Sequence, residues 1–421
     1  MRFKTWGLTA AMLSVALLSG CGGGSKSSSD VEIRLVNASA GYSSLDLSVN
    51  SVAVNTGVAY GSAGSYGTVS TNASTSQVLS GGTTLASTAP TLSSSYKYSL
   101  IAYGWPGAIK TTLLQEGEVA PAAGSSKLLV LNLAPDAGSL DVYLTSSTAS
   151  LDDATPIASG AGYSTLTAGT YRVRITGVNN KADLRLDLPA VTLDSTQVAS
   201  LLITPTAGGA LVNAISVVQT GAVASYAGSN ARVRFIAAFA GGNTVTAMRG
   251  GVNLLNSPYA PQIGEYNAVP AGNSALAATV NGAALATLTP QFNAGGDYTV
   301  LAWGSASAPQ ISVLSDDNRL PTSAGTAKIR LINGVANLNA NVTMSLDYSA
   351  IATNVNPGTA SAFSTVPAST ASSLSVSSPN SSTPIFSVPT LAVASSGVYY
   401  VYLMGDSTSP VGTVGSLSKL R

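Results

Sequence analysis

From residue 30 onward the chain is built of short runs in which apolar and polar residues alternate, and no stretch keeps the three-to-four-residue apolar spacing of a long amphipathic helix. Alternation of period two is the signature of strands with one face buried. Four such runs are alike: Val31–Asn37 (VEIRLVN), Lys127–Asn132 (KLLVLN), Ala231–Ile236 (ARVRFI) and Ala327–Asn333 (AKIRLIN). Their starts lie 96, 104 and 96 residues apart. A second landmark keeps the same period. Tyr66, Tyr163, Tyr266 and Phe363 stand in small-residue contexts 97, 103 and 97 residues apart, and each is expected to plug the core of its own unit near a strand end. A third is a late strand ending in glycine, as in Tyr96–Gly104, Asp297–Gly304 and Val398–Gly405; the second unit departs with Gln197–Pro205. Tyr98 and Tyr298 are 200 residues apart, so the first and third units hold register across the second, which points to duplication of a pair.

Units of about 100 residues with short strands and Gly/Pro/Asn-rich turns predict an all-β protein of tandem antiparallel, immunoglobulin-like β-sandwich domains. The expected division is 30–122, 123–226, 227–323 and 324–421, with Gly/Ala/Ser/Pro-rich junctions near 120–126, 221–230 and 321–326. In each sandwich two sheets would bury one face and leave the polar face to water. The clearest turn is Ala134-Pro135-Asp136-Ala137-Gly138, where proline fixes and glycine frees the backbone. Leu140-Asp141-Val142-Tyr143 then resumes alternation.

These segments resemble the bacterial secreted and lipoprotein family called domain of unknown function 4397. Arg34–Ala40 with Leu45-Asp46-Leu47 carries the family's opening, and Asn132–Ala137 with Leu140–Tyr143 is the closest match, joined by Tyr163–Tyr171. The third unit keeps Tyr266 and Val269–Gly272 but replaces the first turn with Ala237–Gly242; the fourth keeps Phe363 and Val366-Pro367-Ala368 without the following glycine. The resemblance implies a fold and an extracytoplasmic location more than an activity, because the family has no agreed biochemical role.

The first residues change the picture of where such a chain would sit. Arg2 and Lys4 precede an apolar stretch from Trp6 to Leu18, an export signal too short to span a bilayer comfortably. It ends in Leu18-Ser19-Gly20-Cys21, which resembles a lipoprotein lipobox and implies removal of residues 1–20 and acylation of Cys21, the only cysteine. Residues 21–29 would then be the lipidated cysteine and a flexible Gly/Ser tether. Gly22 follows the cysteine where an aspartate would favour inner-membrane retention, so the resemblance favours the outer membrane, with the lipid bilayer as a partner. With its thiol acylated the chain forms no disulfide and must rely on core packing.

Charged residues make up 9% of the chain and the formal net charge is +1, so a basic nucleic-acid surface is not expected. Histidine is absent, which excludes Ser-His-Asp and Cys-His catalysis and the commonest metal ligand. No glycine-rich phosphate-binding turn follows a strand and opens a helix, and no cofactor is expected. Asp152-Asp153 and Asp316-Asp317-Asn318 read as solvated turns, with calcium as the alternative. Asp46, Asp141 and Asp347 recur on strands, as do Arg34, Arg234 and Arg330, and exposed pairs between them would discourage edge-to-edge association. The expected function is non-catalytic: an envelope lipoprotein acting as spacer and recognition surface for a glycan or a protein. Tyr103, Trp105, Trp303 and Tyr402, near strand ends, are the candidate binding surface, with core or interdomain packing as the alternative. Two other readings stay open, a polysaccharide-processing enzyme using paired carboxylates and a structural subunit of a surface assembly.

Overall fold

The computed structural model describes residues 29–157, 159–257, 259–409 and 412–420. The predicted leader, Cys21 and nearly all of the tether lie outside these residues. What is described is β-structure, apart from one 3-10 turn at Pro135–Ala137. Among the described residues no helix is long and apolar enough to cross a membrane.

Four sandwiches follow one another, each with two main sheets, and the third adds a two-stranded ribbon of Gly272–Asn273 with Gln291–Phe292. In the first, one sheet runs Gly67–Ser70, Asp30–Asn37, Lys97–Tyr103, Lys110–Glu116, and the facing sheet runs Val52–Ala59, Ser44–Val49, Ser76–Ser80, Thr83–Thr88. The third and fourth repeat this plan. The second departs: its facing sheet has only Leu140–Thr145, Gly169–Gly177 and Asn180–Leu193, and its other sheet gains an extra edge strand, Val223–Tyr226. Ladders are antiparallel except one per sandwich, where the opening strand lies parallel to the late strand: Glu32↔Lys97, Lys127↔Val198, Arg232↔Asp297 and Lys328↔Val398. The two are separated in sequence by the whole facing sheet, and that crossover brings the chain back travelling in its original direction.

Each sandwich encloses its own apolar core, in the first from Ile33, Leu35, Leu45, Leu47, Val78 and Leu100. The other face of the opening and late strands does not meet water. Val36, Ala38 and Ile101 of the first sandwich pack against Leu202, Ile215 and Val217 of the second. Ile236, Ala238 and Leu301 of the third pack against Ile332, Tyr400 and Tyr402 of the fourth. Fully burying a side chain of this kind contributes about 1.5–3 kcal/mol relative to exposure, so the sandwiches are held as two pairs. The expectation of a solvated polar face is corrected for these sheets; the facing sheets keep it, with strands such as Val245–Arg249 alternating buried and exposed positions.

The recurring aromatic residues are also not core plugs. Tyr66 lies under the Arg34 guanidinium at 4.5 Å and Tyr266 under Arg234 at 4.6 Å. Phe363 carries the Lys328 ammonium at 4.6 Å and meets Tyr400 edge-on. Tyr163 reaches Ser200 at 3.5 Å. They stand where one sandwich meets the next, and polar rims let the rings stack on cations.

Candidate binding site at the sandwich junctions

The first junction is organised by a buried arginine. Arg34 is 4% exposed and donates from Nε to Ser99 Oγ (2.8 Å), from Nη1 to the Gly221 carbonyl (2.8 Å) and from Nη2 to Glu116 (3.3 Å). Glu116 also accepts from Ser99, from the Tyr66 hydroxyl (2.7 Å) and from the Thr220 amide of the second sandwich. Burial and the neighbouring Glu116 push the Tyr66 hydroxyl's pKa up, so it remains a donor. Exactly one duplication away in sequence, Arg234 binds Thr299 (2.7 Å) and Tyr402 (2.5 Å), while Asp316 accepts from Tyr266 (2.7 Å), Thr299 (2.5 Å) and Arg330 of the fourth sandwich (2.6 Å). Arg34/Arg234, Tyr66/Tyr266, Ser99/Thr299 and Glu116/Asp316 are each 200 positions apart.

The exposed Arg–Asp pairs expected from sequence do not form. Arg34, Arg234 and Arg330 turn to the acids of the closing strands, and Asp46, Asp141 and Asp347 cap turns by accepting from Gly57, Asn179 and Ser373 amides. Asp316-Asp317-Asn318 is likewise no solvated turn. Asp316 and Asn318 are buried, and Asn318 bridges Asp297 and Tyr400. Only Asp317 is substantially exposed, and it pairs with Arg319 and Lys328. Burial pushes its carboxyl up, but the Arg319 hydrogen bonds and the Lys328 charge more than offset this and hold it below the usual value. Lys328, 7% exposed, is pushed down by burial, with Asp317 opposing. Lys127–Glu118 is the corresponding ion pair of the first junction. One ion pair is reversed between the copies: Glu32–Lys97 in the first sandwich is Arg232–Asp297 in the third.

The two pairs meet at the Pro135–Ala137 turn. Asp136 is 4% exposed and accepts from the Trp105 indole (3.0 Å) of the first sandwich and from the Leu320 amide (2.8 Å) that leads into the fourth. Arg319 lies over the Trp105 ring at 4.3 Å. The loop after Val198–Pro205 docks on the third sandwich through Gly208 N to Gly295 O (2.8 Å). A Cβ at Gly208 would stand 2.5 Å from an Asp297 carboxylate oxygen and 2.6 Å from its backbone nitrogen, so only glycine fits.

The sequence-nominated surface divides accordingly. Tyr402 is 1% exposed, bonded to Arg234 and Ser418, and is no ligand contact; the correction follows from its facing another sandwich instead of solvent. Trp303 is half-buried against Gly358 of the fourth sandwich, with its indole bonded to Ser312. The ring of Trp105 is used by Arg319, and a Cβ at Gly41 would stand 3.1 Å from its Cε3. Tyr103 remains, half-buried and lining a cavity of about 190 Å³ with Trp105, Lys110, Asp136, Thr322 and Ser396. Burial pushes its pKa up. An adjoining cavity of about 520 Å³ shares Pro135, Asp136, Leu320 and Ser396 and is bounded by Arg185 and Arg232. Sequence reasoning missed Asp136 as a junction residue and Lys110, Arg185 and Arg232 as a charged wall; only the Pro-Asp turn was visible. Among the described residues no three His, Cys, Asp or Glu side chains gather as a metal site.

The family model described as a domain of unknown function, DUF4397, matches residues 31–143 and 231–340, together more than half of the chain. The chain belongs to the DUF4397 family. Each DUF4397 match spans a sandwich and runs on into the opening strand of the next, so it contains the Arg34–Glu116 or Arg234–Asp316 network and a pair junction. No curated protein matches. Among solved structures, a protein from Bacteroides uniformis named for cell adhesion is similar at 10% identity, over 47% of this chain and 97% of that one, with a TM-score of 0.19. The Bacillus anthracis TIE protein is similar at 10% identity, over 89% of this chain and 66% of that one, with a TM-score of 0.15.

Proposed function

We propose that this DUF4397 protein is a non-catalytic lipoprotein of the outer membrane, anchored through acylated Cys21, whose four sandwiches form a fixed scaffold for recognition outside the bilayer. The observation that carries the reading is the burial of the sheet faces that a free-standing sandwich would give to water: Arg34, Arg234 and Arg330 are 4%, 3% and 9% exposed and tie each sandwich to its partner. Such junctions hold a presented surface at a set position. The buried acids are engaged as well. Glu116, Asp136, Asp297 and Asp316 each accept hydrogen bonds from cations, amides or hydroxyls, which argues against the paired-carboxylate enzyme, since a general acid must be free to give a proton to substrate.

The anchor is tested by labelling cells with a palmitate analogue and fractionating membranes, comparing the parent with Cys21→Ser. The parent is expected to be labelled and to sediment with outer membrane, and the variant to lose both. Label retained by Cys21→Ser would overturn the anchor. Protease shaving of intact cells, with a periplasmic control protein, then reads the side: loss of the sandwiches while the control survives assigns the scaffold to the cell surface, and joint protection assigns it to the periplasm.

A further inference from the structure

We infer that the groove where the sandwiches meet at the Pro135–Ala137 turn binds an acidic oligosaccharide. The inference rests on the reading of the chain as a recognition scaffold and names the ligand class. The two adjoining cavities, about 190 and 520 Å³, are walled by all four sandwiches: Tyr103 and Lys110 from the first, Asp136 and Arg185 from the second, Arg232 from the third and Ser396 from the fourth. The space therefore exists only when the sandwiches are docked.

Its polar groups fall into two sets. Asp136 is spent on Trp105 and Leu320, and Arg232 is paired with Asp297. In contrast, the Tyr103 hydroxyl, the Lys110 ammonium and the side-chain hydroxyls of Thr322 and Ser396 bond to none of the described residues. Hydroxyls and a phenol that converge unpaired on one concave surface are suited to sugar hydroxyls. The uncommitted charge is cationic: Lys110 has no counter-ion among the described residues, and Arg185 gives only Nη2 to Asp183 while its Nε and Nη1 have no partner, whereas both oxygens of Asp136 already face donors, so the groove favours a ligand bearing carboxylates. Lys110 takes one carboxylate near Tyr103, and the unpartnered donors of Arg185 attract a second along the groove. A peptide is served less well. The floor is a 3-10 turn and the Leu320-Pro321 linker, which offer no row of unpaired backbone groups for a peptide strand to extend.

The test is calorimetric titration of the mature chain with tetragalacturonate, maltotetraose as the neutral control and hexaglutamate as the peptide control. Tetragalacturonate is expected to bind and to weaken as salt rises, because exposed charges are screened. Lys110→Ala is expected to weaken it on the order of tenfold through loss of a charge-assisted contact, and Tyr103→Phe to weaken it measurably. Tyr348→Ala, at an exposed turn that lines neither cavity, leaves it unchanged. Both groove variants remove a polar group without a hydrogen-bond partner among the described residues, and Tyr103→Phe keeps the ring that packs between the first two sandwiches, so circular dichroism should match the parent. Absence of tetragalacturonate binding overturns the inference, as does binding indifferent to Lys110→Ala and Tyr103→Phe. Equal binding of maltotetraose removes the acidic requirement, and equal binding of hexaglutamate removes the sugar. Because binding is read on the soluble chain, its failure is separate from failure of the anchor, which only labelling and fractionation report.

Discussion

Glu116→Gln tests the energetics of the first junction directly. The substitution keeps the shape of the side chain but leaves Arg34, whose side chain is 5% exposed, without its counter-charge. It also turns an amide NH2 or a weaker acceptor toward the Thr220 amide and the Tyr66 hydroxyl, both of which donate to the carboxylate in the parent. Removing one partner of a buried ion pair costs about 3–5 kcal/mol. Arg34 keeps the Gly221 carbonyl and the Tyr66 ring, so the low end applies, about 3 kcal/mol. For a cooperative unit of about 200 residues that is a fall in Tm of roughly 6–12 °C. The double variant Arg34→Met/Glu116→Leu removes both charges and should recover most of the loss, because well-packed apolar replacements of buried pairs are often neutral or stabilising. In a mature chain carrying Trp303→Phe, Trp105 is the sole indole and sits at the junction, so its fluorescence during thermal and urea unfolding reports this pair of sandwiches. A fall below about 1 kcal/mol for Glu116→Gln, or a double variant no better than the single, would refute the claim that this carboxylate is held in place by an otherwise stranded arginine.

Two further outcomes are expected. Gly208→Ala forces the docked loop off Asp297 and costs about 1–3 kcal/mol as an overpacked contact; hydrogen exchange at 206–211 and 293–297 should speed up while the core of the first sandwich is unchanged, and unaltered exchange counts against the docking. Asp317 has a folded-state pKa held below its unfolded value of 3.8, so its contribution is present above that pH and disappears as pH falls through the lower folded value. Asp317→Asn should therefore lower the urea midpoint at pH 6, and the gap should close as the pH falls below 3.8; a gap that persists in acid would show that charge is not the source.

The strands, the four-fold repeat and the register of Tyr98 with Tyr298 were legible because alternation and spacing are local properties of the chain. Alternation does not distinguish water from another sandwich, however, and this is why Arg34 and Arg234 read as surface residues and Tyr402 as a ligand contact. A signal was present in the late strands. Val198–Pro205 and Val398–Gly405 are buried at every position, and their nearly continuous apolar sequences, VASLLITP and VYYVYLMG, are what burial on both faces requires. The groove was half legible: Tyr103 and Trp105 lie beside it, but Lys110, Arg185 and Arg232 come together only through docking across sequence separations that no local pattern encodes. The reversed pair Glu32–Lys97 and Arg232–Asp297 shows the same blindness, since each half looks like an unrelated change until the parallel ladder sets them side by side.

The extra strand Val223–Tyr226 governs the direction in which the chain travels. In the first and third sandwiches the opening and closing strands begin and end side by side, Glu32 and Glu116 both flanking Lys97, and Arg232 and Asp316 both flanking Asp297. Such a unit hands the chain on from the end at which it was received. In the second sandwich the added strand runs back along Val212–Val218, so that Tyr226 emerges opposite Ala214 and the chain departs toward the far end, about 14 Å from Val218. Four residues thus act as a one-way relay: delete them, and the thread that supplies the second pair would leave from the side it entered, turning an advancing series of domains back upon itself.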